Sequence, residues 1–74
     1  MTGSNAVYDI IQTIGGYVIR KTVVNGYGRR VAWYVARIYR GNVTWYRDSI
    51  WGKVYATERA AQAVIDRIKT GEVN

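Results

Sequence analysis

The hydrophobic positions of this chain change period twice. In the last stretch Ala61, Val64, Ile65 and Ile68 recur at i, i+3, i+4 and i+7, the spacing of a helix with one buried stripe. Thr57 stands where an N-cap hydroxyl would accept an unpaired N–H of the first turn, with Glu58 at the positive end of the dipole. Lys69 falls in the last turn, and Gly71 can take the left-handed conformation that stops a helix. The pattern predicts a helix from about 58 to 70, with Ala60, Ala61 and Ala63 allowing close approach to a sheet. Upstream the period is two. Tyr17 to Val24 and Arg30 to Arg40 are β-branched and aromatic, separated by Asn25-Gly26 and Gly28, and Gly41-Asn42 leads into Val43 to Asp48; these read as strands joined by turns.

A two-residue turn at Gly41-Asn42 would pair Arg40 with Val43, Tyr39 with Thr44, Ile38 with Trp45, Arg37 with Tyr46 and Ala36 with Arg47. Alternation then sorts the hairpin into faces. Ala32, Ala36, Ile38 and Trp45 would receive the helix, while Trp33, Arg37, Tyr39, Thr44 and Tyr46 would lie opposite. One helix covers one face of such a sheet, so the other must meet water or a partner. At the N-terminus Val7, Ile10, Ile11 and Ile14 have helical spacing after Ser4 or Asn5; the spacing leans to a short helix, and the β-branched content leaves a strand open. Residues 49–56 read as a loop or a short extra strand, with Gly52 at a bend.

With 74 residues there is room for one domain and one modest core. The apolar fraction of 49% argues against disorder. The chain has no Cys and no His, which removes disulfides, the thiolate and imidazole metal ligands, and the usual acid-base group. No cofactor or metal is expected. Five scattered carboxylates, and serines without a histidine to activate them, argue against an enzyme. The longest apolar runs are far short of the roughly 20 residues that span a bilayer, and the first residues lack signal-peptide order. The expectation is a cytoplasmic protein, in the host cell if phage-encoded, without membrane binding.

Charge is concentrated. Net charge is +6, and residues 16–55 hold eight Lys and Arg against Asp48 alone, while 56–74 are balanced. A basic, aromatic-rich sheet favours polyanions. Guanidinium groups bind phosphate and base edges, and flat rings stack or fill grooves. The candidate nucleic-acid-binding residues are Arg20, Arg29, Arg30, Trp33, Arg37, Tyr39, Tyr46 and Arg47.

The segment YVARIY, then a turn, a strand and GKVYATERAAQAVIDRI, resembles the ethylene-response-factor DNA-binding domain and the arm-binding domains of phage and transposon tyrosine integrases. Those families combine a W-V-A-E-I-R-like strand with a G-x-F-x-T-x-E-x-A-A-like helix entry. The resemblance covers about residues 16–70. It implies a three-stranded antiparallel sheet backed by one helix, with the open sheet face in the DNA major groove. By position Ala36 and Ile38 match the helix-facing pair of that strand, while Arg37 stands for its outward Glu and Tyr39 for its outward Arg. The span from 43 to 55 is longer than in the family, and the arginine-rich approach to the first strand is missing. A helical N-terminus would instead resemble the αβββα order of double-stranded-RNA-binding domains, but TERAA lacks their helix-start lysines.

The combined expectation is a single α+β domain: residues 1–15 as an N-terminal segment, 16–56 as an antiparallel sheet of three to four strands, and 57–70 as a C-terminal helix packed on it. Its expected role is non-catalytic nucleic-acid binding, DNA favoured over RNA. The competing role is a small phage or mobile-element inhibitor, of anti-CRISPR or other anti-defence type, that binds a host protein complex through a tyrosine-rich surface. A homodimer through an exposed strand edge is compatible with either.

Overall fold

In the computed structural model, which describes residues 6–73, four strands precede one helix. They are β1 (Val7–Thr13), β2 (Gly16–Val24), β3 (Arg30–Tyr39) and β4 (Asn42–Tyr46); a 3₁₀ turn at Ser49–Trp51 and α1 (Glu58–Thr70) follow. The strands form one antiparallel sheet in the order β1-β2-β3-β4. The α+β class and the sheet-plus-helix layout agree with the sequence reading. No helix among the described residues is long and apolar enough to cross a membrane.

Helix α1 follows its local signals. Thr57 Oγ1 accepts from the Ala60 amide at 3.1 Å, and Gly71, at φ 84°, returns its N–H to the last-turn carbonyls of Arg67 and Ile68. Of the three alanines expected against the sheet only Ala61 is buried. It joins Ile65, Ile19, Val35 and Tyr55 in the core, with Tyr17, Ile38, Val43 and Trp45 packed around them.

The N-terminal segment departs from its helical spacing. Val7–Thr13 is a strand, and its register with β2 runs unbroken from Val7↔Thr22 to Thr13↔Gly16 across an Ile14-Gly15 turn. Both periods were present in the sequence. As a strand, Ile10 and Tyr8 reach the core while Ile11 takes the other face opposite Val18, and β-branched side chains favour that arrangement. The suggested caps Ser4 and Asn5 lie outside the described residues. The fourth strand is thus β1, and residues 49–56 supply the 3₁₀ turn and one isolated bridge, Tyr17↔Tyr55.

That bridge closes a split in the sheet. The β2–β3 ladder runs only from Val24↔Arg30 to Arg20↔Tyr34. Beyond it the Lys53 amide donates to the Val35 carbonyl at 2.7 Å, and Tyr55 exchanges backbone hydrogen bonds of 2.7 and 2.8 Å with Tyr17. Gly16 is required there. Its φ is +147°, and a Cβ would sit 2.4 Å from the Tyr55 carbonyl oxygen.

The β3–β4 register corrects the expected one. Tyr39↔Asn42, Ile38↔Val43 and Arg37↔Thr44 are the observed pairs, and the turn residues are Arg40-Gly41. Both have positive φ, 51° and 79°, as a type I′ turn requires, and its twist suits a hairpin better than a turn one residue later. The pairing has slipped by two residues along β4, so Ile38 and Trp45 keep the helix side and Arg37, Tyr39, Thr44 and Tyr46 keep the other. A bulge between Val35 and Arg37 then reverses the alternation. Val35 enters the core opposite Trp45, Trp33 moves to the helix side, and Ala32 moves away from it, contrary to the sequence reading.

Candidate nucleic-acid interface

Past Tyr34, β3 pairs only with β4, so the hairpin continues as a two-stranded ribbon. One side of this ribbon packs Ile38, Val43 and Trp45 onto the core. The other presents Arg37, Tyr39, Thr44 and Tyr46. Tyr39 is 55% exposed, and the Arg37 and Arg40 guanidinium carbons stand 5.1 and 5.4 Å from its ring centroid. Cations at that distance are attracted to the ring quadrupole and keep their N–H groups in water. Arg40 was not among the sequence candidates; its signal was the Arg-Gly turn, legible only once the register was known.

Arg20, on the same face, is committed elsewhere. Its Nε donates to Asp9 Oδ1 at 3.1 Å and its Nη2 to Asp9 Oδ2 at 2.7 Å. The hydrogen-bonded carboxylate raises the guanidinium pKa, and this fork-on-fork geometry leaves Arg20 little capacity for phosphate. Arg30 lies beside this pair in a shallow depression shared with Thr22.

Arg29 follows from the β2–β3 loop. Asn25 Oδ1 accepts from the Tyr27 and Arg29 amides at 2.9 and 3.1 Å, and Gly28 turns the chain at φ 79°. Tyr27 is 94% exposed at the tip. An exposed ring next to two arginines is a contact group that the turn-glycine reading of NGYG passed over.

Trp33 and Arg47 form a separate group on the helix side. The Arg47 guanidinium lies 5.2 Å from the Trp33 ring, and the Lys21 ammonium 4.1 Å from that of Trp45, which meets Tyr8 at 6.4 Å. Burial lowers the Lys21 pKa. The eight candidates therefore divide: Arg37, Tyr39 and Tyr46 share the ribbon face, Arg29 and Arg30 the loop end, Trp33 and Arg47 the reverse side, and Arg20 its ion pair.

Rings, more than carboxylates, hold the basic side chains. The described residues contain five cation–π contacts and two ion pairs, Arg20–Asp9 and Arg67–Glu72. A ring attracts a cation without neutralising it, so this basic surface keeps its charge available to an outside anion. The open face is not wholly free, however. The 3₁₀ turn folds over its upper end, where Val18 is buried in a hollow lined by Ile14, Ile50 and Val54, themselves exposed to solvent with Trp51. Among the described residues no group of three Asp or Glu side chains could hold a metal ion. No known protein family, curated protein or solved structure matches this chain.

Proposed function

We propose that this protein binds nucleic acid without catalysis, duplex DNA ahead of RNA, through the outer face of the β3–β4 ribbon and the loop end bearing Arg29 and Arg30. The observation that carries the reading is Tyr39 flanked by the Arg37 and Arg40 guanidinium groups, neither in an ion pair among the described residues. A two-stranded ribbon fits the major groove, and an outward arginine there can take the O6 and N7 acceptors of guanine. The resemblance to the ethylene-response-factor and integrase arm-binding type implies the same approach. An intracellular setting belongs to this proposal, because that is where such a target would be met.

The test is binding of fluorescent duplexes and single strands across a salt series. Each phosphate neutralised should contribute about −0.9 to the slope of log K against log[salt] for a duplex. Arg37→Ala should cost about 1–3 kcal/mol if it reads a base edge, or shorten the slope by about one if it meets only phosphate. Arg47→Ala, on the reverse side, should change little. Failure of any strand to bind at micromolar protein and about 50 mM salt overturns the reading.

One observation favours a second reading. Ile14, Ile50 and Val54 are exposed apolar residues around one hollow, and the exposed Trp51 follows Ile50 in the same 3₁₀ turn, a surface suited to a protein partner. A phage-borne inhibitor of a host complex, of anti-CRISPR or other anti-defence type, would use it; its binding would depend on Trp51 and tolerate Arg37→Ala.

A further inference from the structure

We propose that β1 is a dimerisation edge, at which two copies of this chain pair antiparallel through Val7–Thr13 centred on Ile10. The proposal is independent of the nucleic-acid reading. Among the described residues β1, the first strand in the order β1-β2-β3-β4, pairs along one side only. Its seven residues, VYDIIQT, form a ladder with β2 that has no register shift. They include no Pro and no Lys, the usual means of blunting an edge. The opposite edge is managed differently. Strand β4 has five residues and lies beside Arg37, Arg40 and Arg47, so two copies meeting there would repel.

Backbone geometry supplies the register. Tyr17 directs both its amide and its carbonyl to Tyr55, away from β1. Tyr17 stands opposite Gln12, and facing residues of an antiparallel pair either bond each other or both point away. Gln12 therefore points its backbone groups outward, and by alternation so do Ile10 and Tyr8. These outward groups are symmetric about Ile10. A two-fold axis there pairs Tyr8 with Gln12 of the second copy, Ile10 with Ile10, and Gln12 with Tyr8.

The same register matches the strand's ends. Val7, 61% exposed, lies opposite Thr13 of the second copy, at the rim of the hollow lined by Ile14, Val18 and Val54. Exposed apolar surface at one end thus meets exposed apolar surface at the other, twice per dimer. Asp9 adds no free charge to the seam because Arg20 holds it. Opposed side chains in an antiparallel pair share a face, so the two ribbon faces lie on one side of an eight-stranded sheet and both helices on the other.

Sedimentation of the full chain up to about 1 mM should show a monomer–dimer equilibrium that tightens with salt, because screening relieves repulsion between two chains of charge +6. Nucleic-acid binding weakens with salt, so the two readings fail separately. Val7→Lys should raise the dissociation constant at least tenfold, with circular dichroism unchanged. The chain has no cysteine of its own. The double variant Val7→Cys with Thr13→Cys, placed at a close non-hydrogen-bonded pair, should therefore crosslink to a covalent dimer under mild oxidation, whereas Asn42→Cys with Tyr46→Cys on β4 should stay monomeric. A wild-type monomer throughout, an unaltered Val7→Lys dimer, or crosslinking through β4 and not β1 would each overturn the proposal.

Discussion

Tyr55 carries the one orphaned polar group among the described buried side chains: its phenolic oxygen has no hydrogen-bond partner. A buried hydroxyl without a partner retains its desolvation cost, so Tyr55→Phe should leave stability unchanged or raise it by up to about 1–2 kcal/mol in urea denaturation. Desolvation also raises the Tyr55 pKa, with Arg67 opposing. The folded chain then holds this proton more tightly than the unfolded chain does. The resulting stability is complete below the ordinary tyrosine value of about 10 and is lost as pH rises through the folded-state value. Tyr55→Phe should flatten that alkaline decline. Among the indoles, Trp51 is exposed while Trp33 and Trp45 are half-buried, so acrylamide should quench a variant retaining only Trp51 the most.

Two elements depend on single backbone positions. Gly16→Ala would drive a Cβ into the Tyr55 carbonyl at a φ that side chains rarely adopt, and it should cost at least about 2 kcal/mol while loosening the Tyr17–Tyr55 bridge. Arg40 holds φ 51° in the β3–β4 turn, where asparagine is better tolerated. Arg40→Asn should stabilise the hairpin by up to about 1 kcal/mol; under the proposed function it should also weaken nucleic-acid binding, because it removes one cation from Tyr39. Denaturation and binding measured on the same variant separate those effects. Legibility in the sequence followed the range of the determinants. Helix α1 was readable because spacing, cap and stop all lie within it. The faces of Arg37, Tyr39 and Tyr46 were readable because a slip of two residues preserves them. The bulge at Ala36 left no local mark, so Trp33 was assigned to the wrong side. Arg20 reads as a binding candidate in the sequence because its partner, Asp9, comes into reach only when Val7–Thr13 is a strand.

At the scale of the whole molecule, α1 and the sheet stabilise each other through a small core. Ile65 is 2% exposed, and Ile65→Ala should cost about 2–5 kcal/mol; Ile38, half-buried at the ribbon, should cost less when truncated in the same way. The meander has a consequence in time. Each strand pairs with the one just before it, and hairpins close within about 1–10 μs. The sheet can therefore assemble from local contacts before α1 docks, leaving Ile19 and Val35 uncovered in that interval. The undocked sheet already carries the whole excess positive charge, since residues 56–74 add none. Mutual repulsion can keep such half-folded chains apart. A fragment ending at Ala56 should accordingly remain clear at low ionic strength and turn turbid as salt is added, at concentrations where the full chain stays in solution.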